Sequence, residues 1–456
     1  MQAPVSAASV EQVSASLAVP PLRPYSAAPM PNASRNDRDP IGWSLIVAGL
    51  FLALALFRLT EPGRYYFDEV HYVPAALKLL DLIPANREHP MFAKEVIAGF
   101  IALLGDRPLA WRIGPLLFGT FGLFAFARFV WLLSGRRRAA ITATVLLATN
   151  FMWFVQSRIS MLDMVEAALC MVGLWQFVAA LRARTPGAAR GHLAAAGIAL
   201  GLSLGAKWSS APALMIPGLW FLALRIRESG WKLVGRKGAG PIPGISLVEA
   251  AFWLGLLPLL VYWATYAPAM FYSIRPTSPW GFIEQHRHMI ALQDSVKKPH
   301  PYRSYWYQWM VDWRPIWYQF ENIDGHQHGI VMLGNPVSMI AGLFALGWGL
   351  WASLLRARRD VLTVILLYAS TLGIWIVNGK PIQFYYHYLL PGAFLMAVLA
   401  FALDALWQRK DRWRHLATCT FVGAVGLFVL FYPIISGAPL PTKEFYNFWM
   451  WFPNWR

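Results

Sequence analysis

Charged residues are scarce in this chain. Asp, Glu, Lys and Arg make up 14% of its 456 residues, whereas 57% are hydrophobic. A soluble globular domain has about a quarter charged residues, so the composition excludes an ordinary soluble protein. Cysteine is scarcer still, with two residues, Cys170 and Cys419. Both lie in apolar runs, which indicates packing residues rather than a disulfide or a metal site.

The sequence also lacks the motifs that mark many nucleotide-dependent and metal-dependent enzymes. It has no G-x-x-x-x-G-K-[ST] loop, no G-x-G-x-x-G after a strand, no H-E-x-x-H and no Cys/His zinc spacing. An ATP-driven pump and an enzyme with a soluble nucleotide-sugar domain therefore lack their usual signature. No cofactor is expected. No metal is expected to be required either, and loss of activity in a chelator would overturn that expectation.

Long apolar runs are what the chain has instead. A helix that crosses a bilayer needs roughly 20 mainly apolar residues, and about eleven such runs follow one another. They cover residues 41–59, 111–133, 139–156, 160–182, 192–206, 208–225, 246–268, 334–355, 361–378, 384–407 and 415–435. The sequence thus predicts an all-α polytopic membrane protein.

Three local features refine this pattern. The boundary between the fifth and sixth runs, at Lys207, is indistinct. Gly197, Gly201 and Gly205 recur at every fourth residue, a spacing that lets two membrane helices approach closely. Residues 92–104 are too short to span comfortably and are predicted to form an amphipathic helix on the membrane surface.

Basic residues are concentrated in alternate loops, and the formal net charge is +17. The basic loops follow every second apolar run, at residues 136–138, 182–190, 225–237, 356–359 and 409–414. By the positive-inside rule the N-terminus is cytoplasmic and the C-terminus lies outside. The charge therefore reports topology, and no nucleic-acid partner is expected.

The loops also divide the chain. The Ala/Pro/Ser-rich residues 1–40 are predicted to be a disordered cytoplasmic tail. Two outer segments are too long and polar to be simple connectors, and long loops of this kind are usually functional. Residues 41–268 are predicted to form an N-terminal membrane module, with a catalytic outer loop at residues 60–110. Residues 269–333 are predicted to form a second outer loop, and residues 334–456 a C-terminal membrane module with a short outer tail.

Two adjacent acids, Asp68 and Glu69, lie just beyond the first run amid aromatic residues. One interpretation is a solvated pair at the N-terminus of a surface helix, where the helix dipole favours acids. The other is a general base at the membrane surface with a low-dielectric wall behind it. The dipeptide alone does not distinguish them.

Cations recur on the outer side, where the topology rule predicts few. Those near the predicted span ends, together with one histidine, are His89, Lys94, Arg112 and Arg158. Each alone could extend its charged end to the lipid headgroups. Together they could form a site for an anionic group.

Three further polar residues lie at the same face. Asp163 opens the fourth run, and a carboxylate there needs a partner, which Arg158 is predicted to supply. That pair could be purely structural. Tyr386 and His387 open the tenth run and could be either interfacial hydrogen-bonding residues or ligands of a sugar or phosphate.

An acid and several cations on an outer face fit a particular kind of group transfer. Without a nucleotide, the activated donor could be a sugar linked to a polyprenyl phosphate. The reaction needs a base for the acceptor hydroxyl and cations for the departing phosphate. The outer loops contain both.

Seven short motifs follow one another between residue 41 and the end of the chain. They are Phe67–Glu69, His89–Lys94, Trp111–Gly119, Arg158–Asp163, His300–Ser304, Trp309–Pro315 and Tyr386–Pro391. In this order the motifs resemble those of the bacterial branch of the protein O-mannosyltransferases. The outer loop leaves no room for the β-trefoil insert of the eukaryotic enzymes, and Met91–Ala93 stands where the family more often has Pro-Leu-Gly.

This resemblance implies a GT-C type fold with about eleven membrane helices. It also implies inverting transfer of mannose from polyprenyl- or dolichyl-phosphate-mannose to Ser or Thr of exported proteins, at the outer face of the bacterial inner membrane. By the same resemblance Asp68 is the base and Glu69 positions the acceptor or the base. The residues expected to bind donor phosphate or sugar are His89, Lys94, Arg112, Arg158, Asp163, Tyr386 and His387.

Two alternatives remain at this point. Another lipid-carrier glycosyltransferase of the same architecture, acting on lipid A with aminoarabinose or on a cell-wall glycan, would use the same acids and cations. A secondary transporter would instead place ionisable residues near the middle of its helices and show two related halves. The polar residues here gather at one face, which favours the enzymes.

Overall fold

The computed structural model describes residues 38–230, 241–242, 244–295, 300–380 and 382–456. The predicted N-terminal tail therefore lies outside the described residues up to position 37, as do residues 231–240 of one predicted basic loop.

The described α-helices alternate with short connections along the chain. In the N-terminal part they are α1 Ile41–Leu56, α2 Glu69–Leu80, α3 Phe92–Leu104, α4 Pro108–Ser134, α5 Arg137–Ala148, α6 Phe151–Gln156, α7 Leu162–Arg182, α8 Pro186–Ala206 and α9 Ala211–Ser229. In the C-terminal part they are α10 Leu247–Ala251, α11 Leu257–Ala264, α12 Phe282–Asp294, α13 Trp306–Trp309, α14 Pro336–Leu355, α15 Arg359–Val377, α16 Leu389–Trp407 and α17 Trp413–Ser436.

Membrane-spanning character is confirmed. In the described part of the chain, 8 helical segments are long and apolar enough to cross a membrane. They are Pro108–Ser134, Leu162–Arg182, Trp208–Glu228, Leu247–Phe271, Pro336–Leu355, Arg359–Val377, Tyr385–Trp407 and Trp413–Ser436. The predicted count of about eleven is not confirmed, because α1, α5 with α6, and α8 fall short in length, continuity or apolarity.

Two breaks have clear local causes. The predicted run 139–156 is interrupted at Asn150, whose side chain accepts a hydrogen bond from the Met152 amide at 3.1 Å and so starts a new helix. The indistinct boundary at Lys207 is a true break, since this residue has extended backbone angles (φ −161°, ψ 153°) between α8 and a short 3₁₀ turn. The second break turns the Lys207 side chain into the protein, where it is buried.

The close helix approach that the glycine spacing on α8 predicts is present in the structure. A Cβ atom at Gly201 would lie 2.5 Å from the carbonyl oxygen of Pro258 on the neighbouring segment 247–271. Only a residue without a side chain allows the two backbones this close.

The first outer loop folds into α2 and α3 above the membrane helices. The helix predicted at 92–104 is present as α3, with Ile97 and Ile101 buried and Leu103 exposed. Its position on a membrane surface stays a prediction.

The second outer loop carries a two-stranded antiparallel hairpin, β1 Ile316–Ile323 and β2 His326–Met332. Asp324 and Gly325 form its turn with positive φ angles of 51° and 82°. In the chain's last residues, the Leu440 backbone pairs with Gln327 beside the hairpin. The segment after α17 thereby holds the hairpin in place.

A buried acid ties this outer layer together. The Asp312 carboxylate accepts hydrogen bonds from the Gly334 amide at 2.8 Å and from the Tyr385 hydroxyl, while its carbonyl accepts one from Trp455 Nε1 at 2.7 Å. Burial raises the pKa of Asp312 to about 7. The folded state therefore binds this proton more tightly than the unfolded chain does.

Asp312→Asn is accordingly expected to remove a pH dependence of stability. In wild type, stability from this group is greatest below the unfolded pKa and falls as pH rises from about 4 to about 7. Asn keeps an acceptor for the Gly334 amide, tolerates the φ of 53° and carries no charge. Thermal unfolding at pH 5 and pH 8 should show a smaller loss in the variant, with exposed Asp324→Asn as the control. An unchanged loss would contradict this assignment.

Candidate active site

Asp68 lies at the start of α2, in a turn shaped by its neighbour. Phe67 has a left-handed backbone (φ 49°), which is costly for a residue with a side chain. Its ring stacks on Tyr318 at 4.1 Å and meets Tyr386 edge-on at 6.3 Å, so two other segments of the chain hold it. These contacts offset the strain and fix where Asp68 points.

The Asp68 carboxylate is half-buried and does not cap its own helix. Burial raises its pKa to about 6; His71 and Lys207 act in the opposite direction, and Asp163 adds to the increase. A base works best when its pKa is near the working pH. The surface-helix interpretation, in which this acid is merely solvated, does not fit this environment.

Glu69 is committed to a different task. Its two oxygens accept hydrogen bonds from Arg112 Nε and Nη2, both at 2.8 Å, and both side chains are fully buried. The Ser160 amide donates to Glu69 at 3.0 Å as well. Glu69 therefore joins the start of α2 to α4 and to the turn before α7.

The remaining donors of Arg112 are also occupied. Its guanidinium donates to the carbonyl oxygens of Leu59, Pro62 and Arg64 at 2.9 to 3.1 Å. Arg112 thus has no free N–H group here for the predicted contact with a donor phosphate. The sequence did not indicate that Glu69 would accept hydrogen bonds from both Nε and Nη2 of Arg112.

The predicted pairing of Arg158 with Asp163 is wrong. Arg158 donates instead to the carbonyl oxygens of Ala55 and Phe57, at 2.6 and 2.7 Å, and of Ser436 at 3.2 Å. These groups are at the C-terminal ends of α1 and α17, where a cation satisfies unpaired carbonyls and the helix dipole.

Asp163 pairs with Lys207, a residue that sequence reasoning assigned only to topology. Asp163 Oδ1 lies 2.6 Å from Lys207 Nζ, and the ammonium lies 4.9 Å from the Tyr386 ring centroid. Asp163 Oδ2 is buried and has no hydrogen-bond partner in the described part of the chain. Asp163 also lines a small cavity with Tyr386 and His387. The indistinct helix boundary at Lys207 was the available signal.

Glu166 holds the backbone that carries Lys207. One turn beyond Asp163 on α7, it accepts hydrogen bonds from the Ser209 hydroxyl at 2.7 and 2.9 Å and from the Ser210 amide at 2.5 Å. The acids of α7 therefore fix the extended break after α8 from two sides.

Lys94 and His89 lie together in the first outer loop. Lys94 is buried and donates to the carbonyl oxygens of Asn86 at 2.5 Å and His89 at 3.0 Å. Burial lowers its pKa to about 8. Burial, with Lys207, Lys94 and Lys380 nearby, holds the pKa of His89 well below its usual value, so its ring is neutral.

Lys380, before the Tyr385–Trp407 segment, is a second cation that the site prediction missed. It is half-buried, and burial followed by the charge of Lys207 lowers its pKa to about 8. Among the described residues, none forms an ion pair or a hydrogen bond with its ammonium.

Tyr386 and His387 are held by aromatic contacts. His387 stacks on Trp375 at 3.8 Å, and its Nδ1 accepts a hydrogen bond from the Phe384 amide at 3.1 Å. A neutral ring then carries its proton on Nε2. Among the described residues, no three His, Cys, Asp or Glu side chains lie close enough to share a metal ion.

Taken residue by residue, the predicted site separates into two sets. Asp68, Asp163, Tyr386, His387 and His89 lie around Lys207, and Lys380 lies near three of them, Asp163, His89 and His387. Glu69, Lys94, Arg112 and Arg158 form the scaffold around them through hydrogen bonds to backbone and to each other.

Most of the chain is similar to known protein mannosyltransferases. A family profile described as dolichyl-phosphate-mannose-protein mannosyltransferase matches residues 105–271. Another, described as the C-terminal four TMM region of protein-O-mannosyltransferase, matches residues 280–455. A polyprenol-phosphate-mannose–protein mannosyltransferase from Mycolicibacterium smegmatis is 25% identical over 99% of this chain and 100% of its own length.

Solved structures show the same fold. The Saccharomyces cerevisiae protein O-mannosyltransferase Pmt1-Pmt2 complex, bound to its sugar donor, aligns with a TM-score of 0.77 at 14% identity and 93% coverage of both chains. ArnT from Cupriavidus metallidurans, bound to undecaprenyl phosphate, aligns with a TM-score of 0.57 at 16% identity, covering 87% of this chain and 77% of its own. The predicted GT-C fold is thereby confirmed. With both family profiles matched in order, this chain belongs to the bacterial protein O-mannosyltransferases.

Proposed function

We propose that this membrane enzyme transfers mannose from polyprenyl-phosphate-mannose to Ser or Thr hydroxyls of exported polypeptides, with Asp68 as the general base. The reaction takes place at the outer face of the bacterial inner membrane, with the N-terminus cytoplasmic and the C-terminus outside. The observation that carries the proposal is a half-buried Asp68 of raised pKa close to Lys207, a cation that in turn lies close to Lys380. The name of the mycobacterial relative, which matches almost end to end, supports the donor and the acceptor class.

In the proposed step Asp68 takes the proton of the acceptor hydroxyl. The hydroxyl oxygen attacks the anomeric carbon of mannose from the side opposite the phosphate. The bond between that carbon and the phosphate oxygen breaks, and its electron pair leaves with the phosphate. One displacement of this kind inverts the anomeric configuration. No covalent intermediate with the protein is needed.

The departing phosphate gains negative charge, which a fixed cation stabilises most in a low-dielectric site. Among the described residues, none pairs with the Lys380 ammonium, and nearby Lys207 pairs with Asp163. Arg112 and Lys94 already donate to Glu69 and to oxygens of the neighbouring loops. We therefore place Lys380, with Lys207, at the phosphate, and His89 and His387 as neutral hydrogen-bonding residues nearby. Asp163 Oδ2, which has no partner among the described residues, accepts a hydrogen bond from a mannose hydroxyl.

Glu69 and Arg112 then act as positioning residues rather than as catalytic ones. Their bidentate pair fixes the first turn of α2 against α4, and Asp68 is the residue that precedes this turn. Loss of the pair displaces the base without removing it.

Lys380→Gln is expected to lower the transfer rate at saturating donor by about tenfold to a hundredfold, because a hydrogen bond to a charged group contributes roughly 1.5–3 kcal/mol. Initial rates measured against donor concentration check this. Lys410→Gln, which removes an exposed cation beyond the opposite end of α16, is the control. Equal rates in both variants would remove Lys380 from the phosphate site.

The acceptor class is tested with purified protein in lipid vesicles and labelled polyprenyl-phosphate-mannose. Acceptors are a Thr-rich peptide, the same peptide with Val for Thr, and lipid or glycan acceptors. The proposal expects label on the Thr peptide alone. Donor consumption with lipid or glycan only would keep the fold and refute the protein acceptor.

A further inference from the structure

A groove lies at the membrane side opposite the candidate active site. It has a volume of about 550 Å³, within the range of small-molecule sites. Helix direction places it there, since α16 begins beside His387 and ends at Trp407, which lines the groove. The other walls are the N-terminal turns of α5 and α17, up to Thr142 and Phe421.

Basic residues line the rim of this groove. Arg138 comes from α5, and Arg414 and His415 come from the first turn of α17. All three side chains are exposed, and in the described part of the chain no ion pair involves either arginine.

The acids nearby are already bound to other cations. Asp404 accepts hydrogen bonds from Arg136 at 2.9 Å and from Gln408 at 2.8 Å. Asp411 pairs with Arg409. The groove therefore presents positive charge that no carboxylate of the described residues pairs with.

Along each helix that lines the groove, the side chains change from charged to less polar with distance from the rim. Along α17, Arg414, Thr418 and Phe421 lie one above another at helical spacing, and Arg138 with Thr142 repeats the start of this order on α5. Seven residues of helix rise roughly 10 Å, comparable with the headgroup layer of one leaflet, about 5–8 Å thick. The Trp407 indole, fixed by a hydrogen bond to the Thr418 hydroxyl at 3.0 Å, lies at this level.

We infer that this groove binds one anionic phospholipid, with its phosphate between Arg138 and Arg414 and its glycerol backbone beside Thr142 and Thr418. The acyl chains then leave along Phe421. The order of cation, hydroxyl and aromatic ring is the order of phosphate, ester and hydrocarbon in a phospholipid. A free phosphate would use the rim and leave the aromatic part of the groove uncovered, so the lipid fits better.

The test is native mass spectrometry of the purified full-length chain with phosphatidylglycerol and phosphatidylcholine of identical acyl chains. Wild type should retain one phosphatidylglycerol in clear preference to phosphatidylcholine. Each of Arg138→Gln and Arg414→Gln should lower this preference about fivefold, and the double variant about twentyfold. The matched control, Arg356→Gln with Arg359→Gln, removes two cations from the same membrane side and should keep it.

Two results would overturn the inference. One is an equal loss of phosphatidylglycerol in the control and in the groove variants, which would mean general surface attraction. The other is displacement of the lipid by millimolar inorganic phosphate, which would mean a simple anion site. None of these residues belongs to the candidate active site, so either result leaves the proposed mannose transfer untouched.

Discussion

Replacing Asp68 with Asn should lower the rate of mannose transfer at least about a hundredfold, because Asn cannot take the acceptor proton. The two side chains have the same shape, and the Asp68 carboxylate does not cap its helix. The variant should therefore fold and bind donor like wild type. Transfer rates and donor affinity, measured on the same preparations, separate the two effects.

The same assignment fixes the pH profile of the wild-type enzyme. Burial raises the pKa of Asp68 to about 6, and the base works only when ionised. The rate should fall about tenfold per pH unit below that value and level off above it. A rate that is flat from pH 5 to pH 8, or an active Asn variant, would exclude Asp68 as the base.

Replacing Arg112 with Ala should lower the free energy of unfolding by about 3–5 kcal/mol, since it leaves the Glu69 carboxylate buried and unpaired. Three backbone carbonyls, of Leu59, Pro62 and Arg64, lose their donor as well. Arg112→Lys should recover little of this, because an ammonium cannot reproduce the bidentate geometry.

A matched control is present in the same region. Arg64 also pairs with a glutamate, Glu321, but at the surface, where its side chain is 62% exposed. Surface pairs of this kind contribute about 0–1 kcal/mol. Chemical unfolding in lipid micelles should therefore separate Arg112→Ala clearly from Arg64→Ala. Similar destabilisation by both would contradict a structural role for the Glu69–Arg112 pair.

The membrane helices could be predicted because a sufficiently long apolar run with few charges is stable mainly as a helix in the bilayer. Runs such as 361–378 and 384–407 match α15 and α16 within a few residues. The break at Asn150 was missed because it depends on one side-chain cap within an otherwise apolar run. At Lys207 the interruption of the apolar pattern was visible, but the pairing of Lys207 with Asp163 could not be predicted from it.

The site was predicted in position but only partly in its contacts. Asp68 and Asp163 could be placed at one membrane face from topology alone. Which cation meets which acid depends on helix packing: Asp163 finds Lys207 on another segment rather than nearby Arg158. Arg158 turns the other way because unpaired carbonyls end α1 and α17 there. Tyr318, in the second outer loop, gave no signal in the sequence.

The most direct test of the proposed mechanism is a structure of the chain with a non-hydrolysable phosphonate analogue of polyprenyl-phosphate-mannose bound. The predicted result has the phosphonate within hydrogen-bond distance of Lys380 or Lys207, a mannose hydroxyl on Asp163, and the anomeric carbon facing Asp68. A phosphonate bound by Lys94 or Arg112, or a mannose remote from Asp68, would contradict it.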